Sequence, residues 1–178
     1  SGSIITGVVR EFKVPHGADL AAMRPLLPVF LTYLMSFVYL GIYWNNHHHM
    51  LHITKRVNGK ILWANMHLLF WLSLIPFTTG WMGENHFASE PTAVYGVVLL
   101  MAAIAYTILQ REIVLHHGKD SLLATAVGND RKGRLSLLGY TAAISLAFVE
   151  QWISDALYIL VACMWLVPDK RIESRLES

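Results

Sequence analysis

The densest concentration of chemically capable side chains in this sequence is the run Trp44-Asn45-Asn46-His47-His48-His49-Met50-Leu51-His52. Imidazole can ligate a metal, carry a proton near neutral pH or hydrogen-bond across a helix interface, so the spacing has to choose among these. On a helix, Asn45, His49 and His52 fall at i, i+4 and i+7 and share one face, and His48 and His52 are also i, i+4. Downstream, Trp63, His67 and Trp71 follow at i, i+4 and i+8, with Asn65 on a different face of that helix. Between the two runs, Asn58-Gly59 marks a tight turn that makes the helices antiparallel neighbours, so their polar faces can meet.

Three readings compete. Histidines at i+3 and i+4 are good ligand spacings, and His48-His49-x-x-His52 resembles a fragment of di-iron membrane oxygenase motifs. A metal-dependent membrane enzyme using the His47–His52 cluster is therefore one alternative. Against it, no carboxylate partners the cluster and no second His-rich motif answers it. The other histidine pair, His116-His117, follows a surface helix end. A pH-sensing or proton-relay role is the second reading. The third, and the expectation carried forward, is an interhelical polar network of Asn45, His48, His49, His52, Trp63, Asn65, His67 and Trp71. Polar groups inside a membrane are costly unless paired, and helix-to-helix hydrogen bonds of ~0.6–2 kcal/mol each would hold the bundle in register.

Other candidates are sparse. His86 sits beside Glu84 and Asn85, where a solvated loop is expected. Glu150 and Asp155 could attract cations to a mouth, although simple solvation accounts for them too. Cys163 is the single cysteine and has no partner for an internal disulfide. The nucleophile-elbow, P-loop and dinucleotide patterns are absent, so no enzyme activity and no cofactor are expected.

The elements that must position these residues are hydrophobic helices. Of the 178 residues, 54% are hydrophobic and only 15% are Asp, Glu, Lys or Arg, against about 25% charged in a soluble domain. A net charge of +2 is too small to suggest a nucleic-acid partner. Five segments lack Asp, Glu, Lys and Arg: Leu26 to His52, Ile61 to Met82, Pro91 to Gln110, Leu135 to Val149 and Ala156 to Pro168. A spanning helix needs about 20 mostly apolar residues. The first three qualify, and the last two form a hairpin with a tight polar turn near Glu150. Ile4 to Glu11 is too short to span and reads as the last turns of a helix whose start is missing. Ser1-Gly2-Ser3 reads as a tag remnant and is set aside.

The fold expected is an all-α polytopic membrane bundle forming a single domain. Its helices lie near 26–52, 61–82, 91–115, 133–149 and 152–168, with a partial element at 4–12. Lys55, Arg56 and Lys60 mark one turn, and Arg111, Lys119, Arg131, Lys132 and Arg134 mark the long connection. Lys170, Arg171 and Arg175 mark the tail, whereas the connections holding Glu84, Glu90, Glu150 and Asp155 contain no Lys or Arg. Lys and Arg stay on the cytoplasmic side. Five alternating spans fit that rule, and a sixth at the start would put both termini in the cytoplasm. Tyr43, Trp44, Trp63, Trp81, Trp152 and Trp165 lie near the expected ends, where such rings favour the headgroup zone. Pro76 falls inside the second long helix, where a kink is expected.

Taken with Phe12-Lys13-Val14-Pro15 and Trp165-Leu166-Val167-Pro168-Asp169-Lys170-Arg171, the strings Tyr39-Leu40-Gly41-Ile42-Tyr43-Trp44-Asn45-Asn46-His47-His48-His49, Leu62-Trp63-Ala64-Asn65 and His67-Leu68-Leu69-Phe70-Trp71 resemble one family. It is the bacterial branch of the lysosomal-type potassium channels (transmembrane protein 175 family), and the likeness runs over residues 4–173. The resemblance implies a six-helix subunit, a homotetramer in the bacterial inner membrane and K⁺ as the permeant ion, with the lipid bilayer as a partner. It implies a pore lined by the first helix, with apolar side chains and a threonine ring at the constriction and no separate selectivity loop. Thr6, with Ile5 beside it, falls where that family carries its pore threonine. The family's Arg…Phe-Ser-Asp motif, which ties the first helix to polar residues on the next two, is absent here. Ser3, Gly7 and Arg10 stand where apolar residues are typical. The expectation is thus a potassium-selective channel subunit with an incomplete first helix. The alternatives are the metal enzyme above, and a non-conducting or engineered scaffold of channel fold.

Overall fold

In the computed structural model, residues 27–52, 54, 57–117 and 131–166 are described. Among them there are five helices and no strands: α1 (Leu27–His52), α2 (Gly59–Glu84), α3 (Ser89–His117), α4 (Arg131–Leu146) and α5 (Gln151–Leu166). The expected element at 4–12, the loop 13–25 and the tail beyond 166 lie outside the described residues, as do Thr6 and Ile5.

The helices form because these apolar segments must satisfy their backbone internally wherever water is excluded. Local signals set the ends. Asn58 caps α2, its Oδ1 accepting from the Ile61 amide at 2.9 Å, which removes one of the orphan donors at a helix start. At the other end of α2, His86 and Phe87 take positive φ values of 52° and 60°. The Phe87 amide then reaches back to the Met82 carbonyl at 2.9 Å. Left-handed residues after a helix satisfy its last carbonyls in this way. Pro76 lies inside α2, which continues through it.

Two helices, α2 and α3, are individually long and apolar enough to cross a bilayer. The last two helices have 16 residues each, or about 24 Å, and α4 stops three residues short of the end of its apolar run. The reason is the reversal between them: residues 147–149 form a turn closed by the Glu150 amide on the Leu146 carbonyl at 2.8 Å. That turn consumes the residues the apolar run would have given to α4.

Helices adjacent in sequence pack on one another, and α5 returns to touch α1 and α3. The core is a stripe on each helix: Thr32, Ser36, Tyr39 and Met50 on α1; Ile61, Ala64, Leu68, Leu72 and Ile75 on α2; Tyr95, Leu99, Ala102, Ala105 and Leu109 on α3. The opposite faces are equally apolar. Phe37, Phe70, Phe77 and Leu138 are all exposed, a surface water would not tolerate and lipid would. Small residues set the closest approaches. A methyl on Gly96 would overlap the Tyr158 hydroxyl and stand 2.7 Å from Ile144 Cγ1, and one on Gly83 would meet Thr32 at 2.8 Å.

Gly96 and Gly41 therefore make a matched test. Gly96→Ala is expected to cost ~1–3 kcal/mol through overpacking, lowering the detergent melting temperature. Gly41, mid-helix with open space around its Cα, is expected to gain ~0.5–1 kcal/mol as alanine. Equal melting temperatures for the two variants would contradict this packing.

Candidate functional site

The buried face of α1 meets α2 along a seam whose register is nearly constant. Thr32 packs on Gly83, the Ser36 hydroxyl bonds to Thr79 Oγ1, and His47 Nε2 donates to Asn65 Oδ1 at 2.6 Å. The hydroxyls also return to their own helices: Ser36 donates to the Thr32 carbonyl at 3.0 Å, and Thr79 to that of Ile75 at 2.8 Å. Nearer the middle, the Tyr39 hydroxyl donates to the Tyr158 carbonyl, and the Tyr158 hydroxyl donates to the Thr92 carbonyl at 3.0 Å. These two bonds tie α1 to α5 and α5 to α3. Tyr95 packs edge-on against both Tyr39 and Tyr158.

The basic end of the bundle has its own fastenings. Asn58, while capping α2, reaches His116 Nδ1 at 3.1 Å, so the α1–α2 turn and the end of α3 sit at one level. Trp165 donates from Nε1 to Ser136 Oγ at 2.7 Å, and Lys132 stands 5.8 Å over the Trp165 ring, a cation–π arrangement.

The spacing argument grouped Asn45, His49 and His52 against Trp63, His67 and Trp71. The structure makes the interhelical bond through Asn65, a member of the expected network, and His47, which that network left out. The reason is helix phase. Tyr39, Tyr43, His47 and Met50 advance along the face turned to the bundle, while Trp44, Asn45, His48 and His52 fall on the exposed side. There, Trp44, His48 and His52 stack as a column, with ring centroids 5.4 and 6.0 Å apart. His49 is half-buried beside His48. On α2, Trp63 is 78% exposed, and His67 Nε2 accepts from Trp71 Nε1 of the same helix at 3.0 Å.

The His48, His49 and His52 rings spread along the helix instead of converging. Among the described residues, no three His, Cys, Asp or Glu side chains are placed to share an ion. What the arrangement does is hold helices together. A cavity of ≈30 Å³ lined by Tyr39, Tyr43, Asn46, Tyr106, Ser136 and Trp165 has room for about one water.

The expected network left out His47, which was named only within the His47–His52 metal alternative, and gave no role to Ser36, Thr79 or the buried tyrosines. A signal existed for Ser36 alone, whose hydroxyl sits well inside the run Leu26 to His52, away from the ends where hydroxyl groups meet water.

Removing His47 should cost more than removing its neighbour. His47→Ala is expected to lower stability by ~0.6–2 kcal/mol and His48→Ala by less. A double-mutant cycle of His47→Ala with Asn65→Ala should show a coupling of similar size in thermal unfolding. Zero coupling would place the interhelical bond elsewhere.

Comparison with known proteins agrees with this architecture. The sequence profile described as endosomal/lysosomal potassium channel TMEM175 matches residues 2–76. A potassium channel of Chryseobacterium sp. strain P1-3 is 51% identical over 175 residues, which are 98% of this chain and 91% of that one. A potassium channel of Streptomyces collinus is 27% identical over 169 residues, covering 89% and 82% of the two chains. The crystal structure of a lysosomal potassium-selective channel TMEM175 homologue from Chamaesiphon minutus superposes with a TM-score of 0.77 at 24% identity, over 94% of this chain and 91% of that chain. The last likeness is one of fold.

Proposed function

The chain belongs to the TMEM175 family of potassium channels, and from that premise we propose that it is a membrane-embedded channel subunit passing K⁺ down its gradient. The observation that carries this reading is identity of 51% across 98% of the chain with a bacterial potassium channel. The family consists of channels and not enzymes.

The finer reading is a homotetramer of six-helix subunits in the bacterial inner membrane, with both termini cytoplasmic. Five helices span in this reading, and the residues before α1 supply the sixth. Physical arguments support it. The cavity beside Tyr39, Tyr106 and Trp165 among the described helices accepts only about one water, which supports a conduction path between subunits and not through that cavity. The exposed column of Trp44, His48 and His52, with Asn45 and Trp63 on neighbouring exposed positions, is polar surface that lipid covers poorly. It is the face on which the residues before α1, or an adjacent subunit, pack in this reading. Asn45, His48, His49, His52, Trp63, Asn65, His67 and Trp71 then hold the assembly and do not touch the ion. Thr6, with Ile5, is the proposed constriction. A ring of threonine hydroxyls replaces part of the hydration shell of K⁺, and an apolar ring beside it gates by excluding water.

Potassium flux from liposomes containing the purified protein tests this. Flux above empty vesicles is expected, with K⁺ preferred over Na⁺. Thr6→Val should reduce that preference by roughly tenfold, about 1.4 kcal/mol, without altering assembly. Intact tetramers that pass no ions would make the chain a non-conducting scaffold and end the channel reading.

A further inference from the structure

At the basic end of the bundle, the bond between Asn58 and His116 fixes where one proton sits. Asn58 uses both ends of its side-chain amide. Its Oδ1 accepts from the Ile61 amide at 2.9 Å, which caps α2, and its Nδ2 lies 3.1 Å from His116 Nδ1. A backbone N–H can only donate, so the capping bond sets which end of the amide is the oxygen. The end turned to His116 is therefore the NH₂ group, which also only donates. His116 Nδ1 must accept, and it does so only in the neutral imidazole that carries its proton on Nε2.

Protonation places a hydrogen on Nδ1 as well. Two donors then face each other, and the bond is lost. Turning the Asn58 amide over would present Oδ1 to the imidazolium, but it would take that oxygen from the Ile61 amide and uncap α2. The cap and a bond to charged His116 exclude each other. His116 is exposed and lies beyond the apolar run of α3, so its ring meets the protons of bulk water. The charged and titratable groups of the elements at this end are Lys60 on α2, Arg111, Glu112 and His117 on α3, and Arg131, Lys132 and Arg134 on α4. The His117 ring stands edge-on to that of His116, with centroids 5.3 Å apart, and its Nδ1 donates to the Ile113 carbonyl of its own helix at 3.0 Å. Glu112 precedes His116 at i, i+4, the spacing at which a carboxylate and a cation on one helix can pair.

We propose that Asn58 and His116 form a pH-sensitive clasp between the α1–α2 turn and the end of α3, closed by neutral His116 and opened when it takes a proton. The charged ring turns from Asn58 to Glu112, so α3 exchanges a bond to its neighbour for one within itself. A free imidazole titrates at about pH 6.5. The clasp is closed on the alkaline side of that titration and open on the acid side. Under the topology proposed above this end faces the cytoplasm, but the clasp is built within one chain and does not rest on conduction.

Hydrogen–deuterium exchange of the purified full chain in detergent tests this, read by mass spectrometry on peptides covering 57–64 and corrected for the intrinsic pH dependence of exchange. Measurements at about pH 8 and about pH 5.5 bracket the imidazole titration. On the alkaline side, the first amides of α2 are expected to be several-fold better protected in the wild type than in His116→Ala, and on the acid side the two should match. Asn58→Asp keeps one oxygen for the Ile61 amide and offers the other to a charged imidazole. Its protection should therefore change in the opposite sense, rising on acidification. A wild-type pH dependence that survives in His116→Ala would put the titrating group elsewhere and overturn the proposal. An Asn58→Asp variant that keeps the wild-type sense would do the same. Nitrogen NMR of protein labelled in its imidazole rings reads the proton directly, with the His116 signal assigned by its loss in His116→Ala. On the alkaline side His116 Nδ1 should carry no hydrogen, and a hydrogen there refutes the clasp. Neither readout needs ion flux, so failure of the clasp is distinguishable from failure of the channel reading.

Discussion

A polar atom placed where lipid replaces water is costly unless it is paired inside the protein, and the contacts that order α1 to α5 follow from that cost. Backbone groups are settled by helix formation. Side-chain groups are settled by a few bonds that happen to join different helices: Ser36 to Thr79, His47 to Asn65, Tyr39 to the Tyr158 backbone and Tyr158 to the Thr92 backbone. Apolar contact alone cannot specify which helix faces which, because lipid tails are as apolar as leucine. The polar pairs do specify it, and the small residues Gly83 and Gly96 let the backbones come close enough for those pairs to form.

That division of labour explains what could be read from the sequence. The helices were legible, since runs without charged residues are a gross signal. The acidic and basic turns were legible too, and the Asn58–His116 bond places two of the basic-side elements at one level. The phase of the histidine run was not. Four imidazoles within six positions occupy most of the circumference of a helix, so i, i+4 spacing selects several faces equally well. Only the apolar partners settle it: Tyr39 and Met50 are buried at 2% and 3% exposure, and His47 falls between them on the same stripe. Reading buried residues first and polar ones second would have placed His47 correctly. Asn65 followed the same logic, flanking Ala64 and Leu68 and not Trp63.

The tyrosines were invisible for another reason. Near a membrane surface a tyrosine needs no explanation, and sequence alone does not give depth. In the structure, Tyr39, Tyr95, Tyr140 and Tyr158 crowd together in the core. They provide ring surface for packing and hydroxyls that cross between helices, which leucine could not.

The seam between α1 and α2 has one more consequence. Its three contacts, 32 with 83, 36 with 79 and 47 with 65, keep almost the same register over the length of a short-turned hairpin. Each half supplies the partners the other half lacks. Before α2 is present, the Ser36 hydroxyl of α1 has only the Thr32 carbonyl of its own helix to bond, and His47 lacks Asn65. The two helices are thus matched to each other as a hairpin, by the same bonds that fix the finished fold.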